Sequence, residues 1–297
     1  MNNIDVSIIF VNYKTKDLTI NAIESVFEKT QNINFEIFVV DNASNDGSIE
    51  AIEQKFPNVN IIKNTVNSGF GAANNLAIKR AGGKYIFCLN TDTLLVNNAI
   101  KILFDFMEKE ENKNVGVCGG YLENVEGIPM DCGGNFPNIT EIFWKFGIRN
   151  IFKEKYKKYK LTINSGDIKH CKKIEYITGA DIMFRKSVLD KTGLFDETFF
   201  MYYEETDLCY RIKKAGYLIK YVPEAKIIHL EGKSSNSTIN KKKQSKNSEF
   251  LYLKKHFPNS IFFIKFLYCI LYFIGGYLSQ NADDKELFKH VAKMELK

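Results

Sequence analysis

The sequence predicts an α/β fold, a mostly parallel central sheet flanked by helices with a helical appendage at the C-terminus. Three observations predict it. Within the first hundred residues, short apolar runs rich in β-branched side chains alternate four times with segments whose apolar residues recur at helical spacing. Each predicted strand ends in a cluster of Asn, Asp, Ser or Thr, the place where open parallel sheets bind ligands. The 297 residues are 45% apolar and 26% charged, enough to bury a sizeable core and too apolar for disorder.

Taken in order, "VSIIFVNY" (6–13) is the first buried strand, and "LTINAIESVFEKT" (18–30) the first helix. "FEIFVVDNAS" (35–44) is a strand closing in turn formers, and "GSIEAIEQKF" (47–56) a helix. "VNIIKN" (59–64), "GAANNLAIKRA" (71–81) and "KYIFCLNTDT" (84–93) supply strand, helix and strand. A helix near 97–109 and the strand "VGVCGGYL" (115–122) open a less regular half, loop-rich and basic over 123–172, with "GGNFPN" (133–138) as a turn. Strand then helix return in 174–193. "EETDLCYRIKKAG" (204–216) is a helix with Leu208, Ile212 and Ala215 on one face and Gly216 as its stop. Pro223 divides "YLIKYVPEAKIIHLEG" (217–232) into two short strands.

Six cysteines are scattered without a CxxC pair in a chain large enough to fold without staples, which predicts a reduced, cytoplasmic setting. The first residues lack a basic region followed by a signal-length apolar stretch. The net charge of +6 is concentrated in 152–160 and 240–258, and the second run leads into the apolar "IFFIKFLYCILYFIGGYL" (261–278). Lys265 divides that stretch and Gly275 with Gly276 weaken its end. An interfacial segment helped by lysines facing anionic lipid and a helix packed on the protein's own core are the two readings; a full span is not. No reader motif for nucleic acid is present.

A dinucleotide-binding site fails, because the first strand runs into "NYKTKD" without the glycine that lets a backbone approach a pyrophosphate. Asp41, ending the second strand, suits a base or ribose as well as a turn cap. Asp92 in "LNTDT" emerges from a buried strand, where a carboxylate needs a partner; a hard divalent cation shared with phosphate is one solution and a cap another. Asn90 adds a neutral oxygen. His229, at the end of a later strand, is either structural or a nitrogen ligand for a borderline metal such as Mn²⁺ beside Asp92. In "FDETFFMYYEETDLCYR" (195–211), Glu204, Glu205 and Asp207 open a helix behind Phe199, Phe200, Tyr202 and Tyr203. Plain helix-start charge explains the acids, Asp207 facing solvent or pairing with Arg211. An aromatic wall would also raise a carboxylate pKa toward that of a general base and offer a platform for a sugar.

The ordered set "VSIIFVNYK", "VVDNASNDGS", "NSGFGAANNLAI", "LNTDT", "ITGADIMFRKSV", "GLFDETFFMYYEETDLCYRIKKAGY" and "IIHLEGKSS" resembles the inverting family 2 glycosyltransferases, most of all their bacterial rhamnosyltransferase-like branch, over about residues 4–258. The resemblance implies a GT-A fold over 1–240, with a nucleotide-sugar-binding half (1–114) and an acceptor half (115–240), before an extension at 241–297. It implies a dTDP- or UDP-sugar donor, a divalent Mn²⁺ or Mg²⁺ on its diphosphate, and transfer of rhamnose or another hexose to a glycan or lipid-linked glycan of cell-surface polysaccharide, at the inner face of the membrane. Tyr13 and Asp41 then touch the nucleoside, with Asn42, Asn67, Gly69, Asn74, Asn90 and Thr91 lining the donor site. Asp92 and His229 hold the metal, and Glu205 is the base for the acceptor hydroxyl with Glu204 as its rival. Two departures stand out: the "LNTDT" motif supplies charge only through Asp92, and the base is Glu where Asp is usual. The competing readings are a sugar-phosphate nucleotidyltransferase, which would carry a glycine-rich basic loop after the first strand, and a non-catalytic carbohydrate-binding scaffold.

Overall fold

The computed structural model of the chain describes residues 4–144, 151–159, 174–230, 238–278 and 282–293. Cys171 and the segment 231–237 behind His229 lie outside them, as do residues 145–150 and 160–172 of the basic loop. Val6–Asn12 (β1), Lys16–Lys29 (α1), Phe35–Asn42 (β2), Ser48–Lys55 (α2), Asn60–Asn64 (β3), Phe70–Ile78 (α3) and Tyr85–Leu89 (β4) reproduce the expected alternation. The four strands lie parallel in the order β3-β2-β1-β4. Ile8, Ile9 and Phe10 of β1 are all buried although they point to opposite faces, because helices cover both. That is why these strands read as unbroken apolar runs.

Thr93–Leu95 (β5), Ala99–Glu108 (α4) and Val115–Glu123 (β6) follow. Gly133–Gly134 (β7) pairs with Tyr176–Ile177 (β8), so the expected turn at 133–138 begins instead as a short strand. A Cβ on Gly133 would collide with the Tyr176 carbonyl oxygen, which is why a glycine stands where the ladder closes. Ile139–Phe143 (α5) and Lys153–Tyr159 (α6) lie between these two strands in the chain. Asp181–Arg185 (β9) runs antiparallel between β4 and β6, Lys186–Thr192 (α7) and Glu204–Lys214 (α8) follow, and Leu218–His229 (β10) lies parallel to β6. Pro223 does not end β10: one twelve-residue strand carries a register shift between Tyr221 and Lys226. The proline sits in the bulge, where its missing N–H costs no ladder bond.

The full order is β3-β2-β1-β4-β9-β6-β10-β5. Only residues 90–92 separate β4 from β5, yet they stand fourth and last across the sheet. So short a link requires the sheet to curl until the ends of β4 and β10 meet.

The chain divides into two compact units. The first contains this sheet and its helices; the second groups residues 136–160, Met201–Tyr203 and Asn236–Lys297. Within the second, Thr238–His256 (α9), Ile261–Leu278 (α10) and Ala282–Lys293 (α11) bury Phe250, Leu253, Ile264, Tyr268, Leu287 and Val291. The Tyr268 hydroxyl donates to Glu249 across 2.6 Å. Among the described residues no helix is long and apolar enough to cross a membrane. Cys88, Cys118, Cys132, Cys209 and Cys269 form no disulfide.

Candidate active site

A buried polar network ties the ends of β1, β2 and β4 together. Asn12 closes β1 and donates to Asp41 Oδ1 (2.7 Å) and Ser44 Oγ (2.9 Å). Its own Oδ1 accepts from the hydroxyls of Thr15 and Thr19, each at 2.9 Å. Thr15 stands at the N-cap of α1 but makes no side-chain capping bond; its hydroxyl is diverted to Asn12 and lies 3.2 Å from that of Thr91. Leaving such groups unpaired inside a protein costs about 1–3 kcal/mol each, so the network fixes Asp41 and Thr91 relative to one another. Tyr13, next in the chain, is 40% exposed, with Lys14 Nζ 5.5 Å from the centre of its ring.

A second cluster lies beside it. Asn42 donates to Asn67 (2.8 Å) and to the Gly69 carbonyl (3.2 Å) and accepts from the Ser68 amide (3.1 Å). Asn42 is therefore the buried support of the 67–69 turn, and Asn67 and Gly69 form the turn itself. Asn74 stands apart from the other proposed donor contacts. It is enclosed in α3, donates to the Phe70 carbonyl, and leaves Oδ1 buried with no hydrogen-bond partner.

Asp92 and His229 meet directly. Antiparallel pairing sets His229 opposite Thr93, and the Leu230 amide donates to the Asp92 carbonyl (2.8 Å). His229 Nε2 consequently lies 3.3 Å from Asp92 Oδ1, with both side chains largely but not wholly enclosed. Among the described residues no cluster of three or more His, Cys, Asp and Glu is placed to hold a metal. One carboxylate and one imidazole nonetheless fit a cation that takes its remaining ligands from phosphate and water, as Mg²⁺ and Mn²⁺ do.

The acids of α8 reach the same region. The Asn90 amide donates to the Ala180 carbonyl (2.9 Å), and a Cβ on neighbouring Gly179 would stand 3.9 Å from Glu205 Cγ. The 178–180 segment is thus flanked by the "LNTDT" turn on one side and Glu205 on the other. The three acids differ sharply. Glu205 is half-buried and accepts from the Thr206 hydroxyl (3.1 Å). Glu204 is buried against Gly71 of α3; burial and then the Glu205 carboxylate hold its pKa well above the ordinary carboxylate range. Asp207 does not face solvent: it is fully buried and receives Arg211 Nε at 2.9 Å. The same guanidinium donates to the carbonyls of Thr192 and Leu194, each at 2.6 Å, fixing α7 to α8.

The expected aromatic wall is dispersed. Phe199 is in the core, Phe200 is exposed, and Tyr203 packs on Tyr252 in the second unit. What holds the 195–200 segment is α3. Asn75 donates to the Phe195 carbonyl (2.9 Å) and Glu197 (2.9 Å) and accepts from the Phe195 amide (3.1 Å). The Phe70 amide donates to the Phe200 carbonyl (2.9 Å), and a Cβ on Gly69, at φ +86°, would collide with that oxygen. Asn75 and Asp181 are not among the residues singled out from sequence. Asp181 is wholly buried at the start of β9, accepts from the Gly120 amide (2.5 Å), leaves Oδ1 unpartnered, and has its pKa raised well above the usual range by burial. A polar residue amid apolar neighbours in "ITGADIMF" or "GAANNLAI" is the signal available for both.

Comparison with known proteins matches this architecture. The chain is 26% identical over 215 residues to an N-acetylglucosaminyl-diphospho-decaprenol L-rhamnosyltransferase of Mycobacterium tuberculosis, covering 67% of each. It superposes on a mannosyltransferase of Pyrobaculum calidifontis in complex with GDP-Man and Mn²⁺ with a TM-score of 0.58, at 14% identity, covering 97% of this chain and 79% of that one. A crystal structure of GalNAc-T7 with UDP, GalNAc and Mn²⁺ gives 0.59 at 14% identity, covering 83% of this chain and 48% of that one. At such identity these two show the GT-A fold alone. The pattern described as "Glycosyl transferase family 2" matches residues 7–193, which takes in Tyr13, Asp41 and Asp92 and stops short of Glu205 and His229. A match over more than half the sequence, on a sheet whose polar strand ends converge as such a transferase requires, means that the chain belongs to glycosyl transferase family 2 and is a glycosyltransferase.

Proposed function

We propose that this glycosyltransferase moves rhamnose or another hexose from a dTDP- or UDP-linked donor to a hydroxyl of a lipid-linked glycan, with inversion, at the inner face of a membrane. The name of the mycobacterial relative supports the sugar and the acceptor class. The observation that carries the chemistry is the meeting of Asp92 and His229 beside the segment that Glu205 also flanks.

In this reading Tyr13 lies along the nucleoside and Asp41, oriented by Asn12 and Ser44, accepts from it. Thr91, Asn90 and the 67–69 turn line the diphosphate and sugar. Asp92 and His229 hold Mn²⁺ or Mg²⁺, which when bound neutralises charge on the departing nucleoside diphosphate. Glu205 takes the proton of the acceptor hydroxyl as that oxygen attacks the anomeric carbon. One base and no protein nucleophile give inversion. Glu204 is the weaker candidate, because it is enclosed against Gly71 with no open path to an acceptor, and burial and the Glu205 carboxylate raise its pKa.

A panel of nucleotide sugars, scored for released nucleoside diphosphate, tests the reading. Glu205→Gln should lower turnover by about 10²–10⁴ while nucleotide binding survives. Asp92→Ala should abolish the metal dependence of nucleotide binding. Normal turnover in Glu205→Gln, or unchanged metal dependence in Asp92→Ala, would remove that residue from the site.

A further inference from the structure

The second unit carries an exposed surface that the proposed chemistry does not use. Along α10, Ile261, Ile264, Leu267 and Tyr268 face inward and are buried. Phe262 (75% exposed), Phe266 (60%) and Phe273 (60%) face outward. Their spacing of four and seven residues sets the three rings on one stripe of the helix, with Phe263 (48%) beside it. The stripe runs about 16 Å, eleven residues at 1.5 Å each. A single exposed phenylalanine needs no explanation; a row of them on the face opposite the buried one does.

The neighbouring helix has a row of its own. α11 packs closely against α10 and buries Leu287 and Val291, while Lys285, Lys289 and Lys293, spaced four apart, are exposed. Glu286, an exposed acid beside them, is engaged by Lys243 at 2.5 Å, and the other two acids of the helix, Asp283 and Asp284, stand in its first turn. The hairpin therefore combines an exposed aromatic stripe with an exposed cationic stripe, and among the described residues no helix is long and apolar enough to cross a membrane.

We propose that the α10–α11 hairpin docks the protein on the surface of an anionic lipid bilayer, Phe262, Phe266 and Phe273 entering the acyl boundary while Lys285, Lys289 and Lys293 meet the headgroups. The charge selects this occupant. Exposed lysines on the helix packed beside the aromatic stripe favour a sheet of phosphodiester headgroups, which neutralises them, over a second copy that carries the same lysines. This rests on the reading of a lipid-linked acceptor and gives it a surface: docking holds the enzyme in the plane where such acceptors lie.

Cosedimentation of the whole chain with vesicles tests it. The protein should bind phosphatidylcholine vesicles carrying about one-third phosphatidylglycerol, bind pure phosphatidylcholine far less, and release as salt rises over the Debye range of about 10 Å to 3 Å. Phe262→Ser with Phe266→Ser should weaken binding at least about tenfold. Each of Lys285→Ser, Lys289→Ser and Lys293→Ser should cost about fivefold on the anionic vesicles and nothing on the neutral ones. All variants should keep wild-type affinity for UDP or dTDP and wild-type turnover on a water-soluble acceptor, which shows that they fold. Equal binding to both vesicle types, unchanged binding in the phenylalanine variant, or a wild-type dimer that this variant dissociates would overturn the proposal. A detergent-dispersed lipid-linked acceptor separates it from the acceptor reading. Turnover there without vesicle binding refutes the docking alone; vesicle binding with turnover confined to soluble glycans refutes the acceptor reading alone.

Discussion

Asn75→Ala isolates the contribution of α3 to the acidic end of α8. The Asn75 side chain is buried and makes three hydrogen bonds, two of them to the amide and carbonyl of Phe195, itself in the core. Truncation leaves both backbone groups without partners at about 1–3 kcal/mol each, while Glu197 is exposed and regains water. The expected loss is about 2–5 kcal/mol, a large part of the roughly 5–15 kcal/mol that holds a domain folded. Because the 195–200 segment leads to Glu204 and Glu205, turnover should fall by about tenfold or more, while nucleotide affinity, which the proposed function assigns to the ends of β1, β2 and β4, stays near wild type. Urea unfolding gives the stability change as a shift in midpoint at constant slope, and calorimetric titration with nucleoside diphosphate gives the affinity. Asn75→Asp sharpens the test: it keeps the acceptor for the Phe195 amide but sets a carboxylate against the Phe195 carbonyl and Glu197. It should be at least as damaging at neutral pH and recover in part as the new acid protonates. A loss under about 1 kcal/mol in Asn75→Ala, with normal turnover, would refute the claim that this side chain holds the segment.

Two further predictions rest on buried charge. The Asp181 pKa is raised in the fold, so its share of stability is fully present below the unfolded value near 3.8 and is lost as pH rises through the folded value. Asp181→Asn, which keeps an acceptor for the Gly120 amide, should therefore stabilise the protein at pH 8 and flatten its stability profile above pH 4; unchanged midpoints across that range would show that the carboxyl is ionised after all. Arg211→Lys retains the charge but loses the fork that spans Asp207 and the Thr192 and Leu194 carbonyls, and should cost about 2–3 kcal/mol, read as a lower thermal midpoint.

The first four strands and their helices were legible because β1, β2 and β4 are buried on both faces and the helices between them are short and regular, so period and composition agree. The second half was less so, for reasons that lie in contacts distant along the chain. "GGNFPN" has turn composition, yet Gly133 serves close approach to Tyr176, a partner no local pattern reveals. Pro223 carries an end-of-strand signal, but β10 absorbs it as a bulge because β6 continues to pair on both sides of it. The meeting of Asp92 and His229 depends on the antiparallel β5–β10 register, which sequence spacing does not encode; the resemblance to the family is what placed the two residues together.

The acidic stretch holds a signal that was available in the sequence. Leu208 and Ile212 lie on the inward stripe of α8, while Ala215, expected on the same face, is exposed just beyond the helix; Glu204, four residues before Leu208, lies on that stripe. A carboxylate on the inward stripe at a helix start is enclosed, and the structure encloses it against Gly71. Glu205 is turned about 100° away and remains half-exposed. The two adjacent glutamates are thus separated by helix phase, one enclosed with its pKa raised by burial and by the Glu205 carboxylate, the other half-exposed. Enclosure denies Glu204 an acceptor hydroxyl and leaves Glu205 as the acid of the pair that one can reach, which is why the proposed base is Glu205.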